Sequence, residues 1–323
     1  MQALRTHDFD APLQLDELPP PEPGPGQVRV RVQACGISFF DLLIARGGYQ
    51  WRPALPFTVG SEFAGVVEAL GEGVAGRFAV GDRVCGSSAI GAWTQQLCVA
   101  ADALHAVAPA ASIEESAVLH TPGGTALYAL RERGGLRPGE TVLVLGATGS
   151  VGDAAVQVAK ALGARVIAAA SGPAKGAAAR AAGADEVVDL AEPGWKERVK
   201  ALAAPRGVDV VLDPVGGEWM DAAFRTLGWG GRHLVVGFAS GQIGTLRGNL
   251  TIVKGAALVG VDLRMFREHE PEAARRLSLD VAALHRDGRL HPRIAARFPL
   301  ARHAEACALA QDRATIGRVL LLP

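Results

Sequence analysis

Short apolar segments separated by glycine and proline cover the first hundred residues. Residues 28–32 alternate valine with arginine, and similar short segments follow at 65–70, 81–84 and 96–100. An alternation with period two, bounded by turn residues, is typical of half-buried strands. The pattern therefore predicts a small, irregular β domain. The proline-rich residues 18–26 cannot enter a sheet interior and are expected to form an extended surface connection.

The pattern changes at residue 141, where strand-length apolar runs begin to alternate with alanine-rich helical stretches. The predicted strands are residues 141–145, 165–170, 186–190, 208–212, 232–237 and 258–263. A repeated strand–helix–strand order indicates a parallel sheet with helices packed on it. After residue 264, residues 271–285 have the spacing of an amphipathic helix, and residues 315–322 predict a closing strand, which we place with the first domain. The predicted fold class is therefore α/β.

Composition and charge narrow the possible functions. A chain of 323 residues with 49% hydrophobic residues is long enough for two domains and a cleft. Lys plus Arg and Asp plus Glu both number 33, so there is no net charge to attract nucleic acid or an anionic membrane. Four separated cysteines, no long apolar run and no leader-like start indicate a reduced, cytoplasmic protein that neither crosses nor binds a membrane.

A glycine loop between the first strand and first helix of the parallel sheet is the strongest chemical signal. Gly146, Gly149 and Gly152 allow a tight turn, bring backbone N–H groups close to a pyrophosphate, and open the helix N-terminus towards it. The spacing is G-x-x-G-x-x-G rather than G-x-G-x-x-G, but the strand and helix around it are those of a dinucleotide site. The predicted cofactor loop consists of Gly146, Ala147, Thr148, Gly149, Ser150, Val151 and Gly152.

The end of the second strand of this sheet indicates which dinucleotide is bound. An enzyme specific for the non-phosphorylated cofactor places an acid there to hold the ribose 2′-OH. This chain instead has Ser171 and Lys175, a hydroxyl and an ammonium that suit a 2′-phosphate. The alternative is that Ser171 caps the next helix and Lys175 is a solvated surface residue. The residues favour NADP(H).

Several motifs together resemble the zinc-independent quinone oxidoreductase branch of the medium-chain dehydrogenase/reductase superfamily. They are residues 34–41 (ACGISFFD), 55–68 (LPFTVGSEFAGVVE), 80–84 (VGDRV), the glycine loop, 213–217 (DPVGG), 236–241 (VGFASG) and 317–321 (GRVLL). The resemblance covers the whole chain. It implies a GroES-like β domain formed by residues 1–118 and 264–323, a Rossmann domain formed by residues 119–263, an active site in the cleft between them, and a homodimer.

The resemblance also implies that no metal is bound. Zinc-dependent members have Cys, His and a third thiolate where this chain has Ser38, Ser61 and Thr121, and the four-cysteine structural zinc lobe is absent. Neutral hydroxyls are poor zinc ligands. Without a Lewis acid, an acceptor activated by its own conjugation becomes the natural substrate. The implied function is hydride transfer from NADPH to a quinone or α,β-unsaturated carbonyl; the alternatives are enoyl-thioester reduction and NADPH binding without turnover.

Individual site residues follow from the same resemblance. It places Thr125, Gly237 and Phe238 at the nicotinamide end of the cofactor, brings Arg318 towards the cofactor, and makes Ser38, Asp41, Tyr49 and His120 the catalytic candidates. Relatives have Asn at the position of Ser38 and Tyr at that of Leu190. Asp41 either orients the nicotinamide ribose or hydrogen-bonds its own loop, Tyr49 either lines the substrate mouth or is a half-buried aromatic, and His120 is either a proton donor or structural. Glu62 is expected to pair with a basic neighbour.

Overall fold

The computed structural model describes residues 1–323 and divides into two compact units, Met1–Thr121 with Arg293–Pro323 (unit 1) and Pro122–Pro292 (unit 2). The first stretch of chain contains β1 (Gln2–Thr6), β2 (Gln14–Glu17), β3 (Gln27–Ile37), α1 (Phe39–Ala45), β4 (Phe57–Thr58), β5 (Glu62–Leu70), β6 (Arg83–Ser87), β7 (Gln96–Ala100), β8 (Leu104–Ala106) and α2 (Ile113–Ala117). No strand forms over the proline-rich residues 18–26, as predicted.

The middle of the chain alternates strands and helices. Its elements are α3 (His120–Leu127), β9 (Thr141–Val144), α4 (Ser150–Ala161), β10 (Arg165–Ala169), α5 (Gly172–Ala181), β11 (Glu186–Val188), α6 (Trp195–Leu202), β12 (Val208–Asp213), α7 (Trp219–Phe224), β13 (Leu227–Val235), α8 (Asn249–Lys254), β14 (Ala257–Gly260), α9 (Leu263–His269) and α10 (Pro271–Arg286). The last elements are β15 (Ile294–Pro299), α11 (His303–Gln311) and β16 (Arg318–Leu322).

Unit 1 is a β structure. Six strands lie in the order β15-β16-β3-β5-β6-β8, β7 also pairs with β3, and β2-β1-β4 form a second sheet. On β3 the valines at 28, 30 and 32 are buried, whereas Arg31 is exposed, which confirms the predicted alternation. The closing strand β16 pairs antiparallel with β3, Val319 lying opposite Ile37, so the chain end does return to the first unit.

Unit 2 is a doubly wound parallel sheet. Its strands lie in the order β11-β10-β9-β12-β13-β14, and every neighbouring pair is parallel. The first strand, β9, is therefore central, and the strand order reverses beside it. At such a point the loops leaving the carboxyl ends of the strands diverge, which creates a ligand crevice. Leu143, Ile167 and Phe224 are fully buried in the core of this unit.

The return to unit 1 occurs later than the predicted residue 264. Helices α9 and α10 belong to unit 2, and their side chains pack against the helical residues 122–133 at its start. Phe266 stacks on Tyr128 with ring centroids 4.2 Å apart, and a Cβ added to Gly123 would lie 3.0 Å from Val281. The predicted helix at 271–285 is present as α10. None of the helices combines the length and apolar character needed to cross a membrane.

Candidate functional site

The glycine loop of unit 2 is shaped for close approach of a ligand to the backbone. Gly146 has a φ of 56°, in the left-handed region that glycine adopts readily. A Cβ on Gly152 would lie 2.1 Å from the carbonyl oxygen of Gly146, so a larger residue would force the loop and helix apart. Gly149 is the N-cap of α4, and no side chain caps the helix there. The loop therefore offers the open helix N-terminus that a pyrophosphate requires.

Hydrogen bonds to neighbouring strands fix this loop. The Ala147 amide donates to the carbonyl of Ala169 at the end of β10 (3.1 Å), and the Gly149 amide donates to Gly146 (2.9 Å). Thr148 is buried, and Ser150 and Val151 are half-buried in the first turn of α4. The residues predicted for the loop are thus held in one turn by main-chain bonds, which suits a preformed cofactor cradle.

The end of β10 presents the two residues predicted to contact a 2′-phosphate. Ser171 is exposed and is the N-cap residue of α5, but its hydroxyl makes no capping hydrogen bond. The alternative interpretation, a capping serine, therefore fits only its position and not its bonding. Lys175 is half-buried in the first turns of the same helix.

An acid that the sequence reasoning missed also lies at this helix N-terminus. Asp189 follows β11, and its two carboxylate oxygens accept the amides of Gly172 and Ala191, each at 2.9 Å. These backbone hydrogen bonds, that of Ala191 first, lower the pKa of Asp189 below its usual value. The sequence does contain a signal for this residue, because Asp189 directly follows the predicted parallel strand β11. In the structure Val188 of that strand lies opposite Ala169 of β10. Carboxyl ends of neighbouring parallel strands meet at one sheet edge.

Two further loops at the same edge contain the residues predicted for the nicotinamide end. Gly237 follows β13, and its amide donates to the carbonyl of Asp213 at the end of β12 (3.3 Å). Phe238 is 38% exposed, and the next amide, that of Ala239, donates to Pro214 (3.1 Å). Thr125 lies half-buried on α3. Unit 2 thus gathers the glycine loop and the 214–217 and 237–240 segments at one edge of its sheet.

Ser38 and Asp41 of unit 1 form a capping box at the start of α1. The Ser38 hydroxyl donates to Asp41 Oδ2 (2.6 Å), the Ser38 amide donates to the same oxygen (2.8 Å), and the Asp41 amide donates back to Ser38 Oγ (3.1 Å). The Ser61 side chain is a further hydrogen-bond partner of Asp41. Burial raises the pKa of Asp41 to about 6, against the opposing effect of its bonds to the two serines. Asp41 therefore hydrogen-bonds its own loop, one of its two predicted roles.

Glu62 and Arg318 form a buried ion pair in unit 1. Arg318 Nη2 donates to Glu62 Oε2 at 2.6 Å, and the two side chains are only 7% and 3% exposed. The other oxygen of Glu62 accepts the amide of Thr121 (3.2 Å). The expected basic partner of Glu62 is thus Arg318. The charge of Arg318 is balanced within unit 1, and its approach to the cofactor stays a prediction.

The two remaining catalytic candidates each contact another ring. Tyr49 is half-buried and meets Phe40 edge to face, with centroids 5.0 Å apart. His120 is buried and stacks on His105, with centroids 4.4 Å apart and ring planes 18° from parallel. Both contacts fit the structural alternative for these residues. A catalytic role for either one stays a prediction.

Comparisons with known proteins agree with both units. The alcohol dehydrogenase GroES-like domain family matches residues 24–132, and the zinc-binding dehydrogenase family matches residues 150–278. Quinone oxidoreductase-like protein 2 of Rattus norvegicus is 37% identical over 316 residues, which cover 97% of this chain and 90% of the relative.

Two solved structures superpose on the full length of the chain. The quinone oxidoreductase of Thermus thermophilus, also solved in complex with NADPH, has a TM-score of 0.87 and 33% identity and is covered completely, as is this chain. A mycobacterial protein solved in complex with NADPH has a TM-score of 0.91 and 31% identity, again with complete coverage of both chains.

These matches identify the class of protein. The chain belongs to the medium-chain dehydrogenase/reductase superfamily, with a GroES-like domain and a Rossmann domain. Within it, the chain belongs to the quinone oxidoreductase branch and is an NADP(H)-dependent oxidoreductase, which confirms the predicted family, fold class and cofactor.

Proposed function

We propose that this protein reduces a quinone or an α,β-unsaturated carbonyl with NADPH and without a metal ion. The observation that carries the proposal is the bonding of Asp41. This one buried carboxylate binds the side chains of both Ser38 and Ser61, which stand where zinc-dependent members of the superfamily have a thiolate and an imidazole. The two side chains are thus already bonded to a protein carboxylate.

The chemistry of the donor set supports the absence of zinc. Hydroxyls at Ser38, Ser61 and Thr121 are weak ligands compared with thiolate or imidazole. The buried thiol of Cys85 has its pKa raised to about 12, by burial and then by the charge of Glu62, so it holds its proton more tightly than an ordinary cysteine. An alcohol substrate would need a Lewis acid to stabilise its alkoxide, whereas a conjugated acceptor delocalises the charge itself.

In the proposed mechanism the protein mainly positions the reactants. The backbone of Gly146–Gly152 holds the pyrophosphate, Ser171 and Lys175 hold the 2′-phosphate, and Thr125, Gly237 and Phe238 hold the nicotinamide end. Bound NADPH supplies the hydride for the acceptor. A proton from solvent completes the reduction, and His120 is a second candidate donor. Tyr49 is assigned to the substrate mouth.

The test is NADPH oxidation, followed by the absorbance of the reduced nicotinamide, with a panel of ortho-quinones, para-quinones, enals and enoyl thioesters. We expect turnover with quinones or enals, and none in Gly152→Ala, whose new methyl group closes the cradle. Tight NADPH binding without turnover on any acceptor would contradict the proposal and favour a non-catalytic binding protein. Preference for the thioesters would favour the enoyl-thioester alternative. His120→Ala with unchanged turnover across pH would remove that residue from the mechanism.

We also propose a homodimer that pairs through the exposed edge of β14. Exposed apolar side chains surround this edge strand: Trp229 is 86% exposed, Ile252 82%, Val253 70% and Leu258 44%. An uncovered strand edge beside a hydrophobic patch pairs readily with a copy of itself. We expect sedimentation equilibrium to give a dimer that Leu258→Lys dissociates. A monomeric wild-type protein would contradict this assembly.

A further inference from the structure

Asp213 and His233 of unit 2 form a buried pair to which the proposed function gives no role. Asp213 is the last residue of β12, and His233 lies on the adjacent strand β13. Their side chains are 1% and 0% exposed, and His233 Nε2 lies 3.0 Å from Asp213 Oδ2. Burying a carboxylate costs free energy unless it accepts hydrogen bonds. The groups bonded to Asp213 therefore indicate which part of the structure its side chain stabilises.

The other carboxylate oxygen of Asp213 fixes the turn that follows β12. Oδ1 accepts the amide of Val215 at 2.9 Å and the amide of Gly216 at 2.8 Å. Hydrogen bonds to a charged acceptor are stronger than neutral ones, so this side chain is one of the groups that fix the path of residues 214–217. The main-chain carbonyl of Asp213 accepts the amide of Val236 at 2.9 Å, which connects the turn to the end of β13.

The turn lies between the two loops assigned to the cofactor. On one side, a Cβ added to Gly146 would lie 2.8 Å from Val215 Cγ2; on the other, a Cβ added to Gly216 would lie 2.6 Å from the ring of Phe238. The amide of Ser240 donates to the carbonyl of Val215 at 3.0 Å. A displaced turn would therefore move Phe238 relative to the glycine loop.

His233 holds the carboxylate from the neighbouring strand. A carboxylate oxygen can only accept, so the contact is a hydrogen bond in the tautomer that carries the proton on Nε2. The opposite nitrogen, Nδ1, is buried without a hydrogen-bond partner. The ring otherwise stacks on Phe224, with centroids 6.1 Å apart. An apolar side chain would suit these surroundings better than imidazole. The polar contact that imidazole does make is the one to Asp213.

We infer that His233 is a positioning residue for the nicotinamide half of NADPH, acting through Asp213 on the 214–217 turn. The inference rests on the proposed placement of Gly237 and Phe238 at the nicotinamide. It adds His233, which is buried behind the turn and is not among the residues assigned to contact the cofactor or the substrate. The adenosine half is assigned to Ser171 and Lys175, which follow a different strand, β10.

The test compares the affinity of two ligands for the full-length protein by calorimetry. NADPH spans both halves of the site, whereas 2′,5′-ADP carries the adenosine with its 2′- and 5′-phosphates but no nicotinamide. We expect His233→Leu to weaken NADPH binding about tenfold, as loss of a hydrogen bond to a charged group implies. Binding of 2′,5′-ADP should stay within about twofold, and His233→Gln, which keeps an N–H donor, should recover most of the loss. Leu234→Val, also fully buried on β13, controls for a general loss of stability.

Equal weakening of both ligands, no weakening of either, or identical behaviour of the Leu and Gln variants would overturn the inference. If His233→Leu does not fold, Asp213→Asn gives the same comparison, since it keeps the side-chain shape but makes the bonds to the turn neutral. A smaller, selective loss of NADPH affinity is expected there, and an unselective change would overturn the inference. Wild-type protein that binds NADPH no more tightly than 2′,5′-ADP would instead contradict the proposed nicotinamide placement.

Discussion

Asp41 makes the stability of the protein depend on pH in a direction opposite to that of most carboxylates. Burial raises its pKa from the ordinary value of 3.8 to about 6, although bonds to Ser38 and Ser61 oppose the shift. In the unfolded chain the group ionises near pH 4, and in the folded protein only near pH 6. Between these values the folded state holds the additional proton, so this group's contribution to stability decreases as pH rises.

The size of the effect follows from the shift. A difference of about two pKa units corresponds to about 3 kcal/mol, at about 1.4 kcal/mol per unit. The group is 2% exposed, so solvent screens it little. The contribution is fully present below about pH 4, is lost between about pH 4 and pH 6, and does not change further above that range. Asp41→Asn cannot titrate and should gain about 3 kcal/mol relative to wild type between pH 4 and pH 7.

Urea denaturation followed by tryptophan fluorescence at several pH values measures this difference, because Trp93 is buried in unit 1. Asp10→Asn removes an exposed carboxylate and is the matched control. A free-energy difference between Asp41→Asn and wild type that stays constant from pH 4 to pH 7 would refute the reasoning. So would a variant that loses relative stability as pH rises, because the serine bonds would then outweigh burial.

Substitutions of Arg318 and Asp189 should change stability and cofactor preference, respectively, in directions that the structure specifies. Arg318→Met should lower the free energy of unfolding by about 3–5 kcal/mol, because it leaves Glu62 buried without its counter-charge. The double variant Glu62→Gln/Arg318→Met should recover part of this loss, since no charge is then left unpaired. Equal stabilities of the single and double variants in urea denaturation would contradict a coupled pair. Asp189→Asn removes a negative charge from the N-terminus of α5, so the ratio of NADPH to NADH affinity, measured by calorimetry, should rise by about fivefold. An unchanged or lower ratio would place the 2′-phosphate elsewhere.

Periodicity predicted the fold well where one signal dominates. The parallel strands of unit 2 are continuous apolar runs between glycine turns, and each was found close to its expected position. The end of the Rossmann unit was harder to predict, because α9 and α10 carry no composition change at residue 264. Only contacts such as that of Phe266 with Tyr128 assign these helices to unit 2.

The candidate site likewise contains residues that a local sequence pattern predicts and residues that only the structure reveals. The requirement for a residue without a side chain at Gly152, where loop and helix are in close contact, could be predicted because it depends only on residues near in sequence. The bonds of Asp189 to Gly172 and of His233 to Asp213 join residues from different strands, so they depend on strand order, which no local pattern specifies. The sequence shows a serine at position 38, where zinc-dependent relatives have a metal ligand. Only the structure shows that this serine is hydrogen-bonded to Asp41. The cytoplasmic location stays a prediction.

The most direct test of the central claim is NADPH oxidation by metal-stripped protein with the preferred quinone or enal. After dialysis against a strong chelator and a check of zinc content by mass spectrometry, we expect the same kcat and KM as before treatment, and no response to added zinc. Activity that disappears with the metal and returns in proportion to zinc would contradict metal-free hydride transfer at this site.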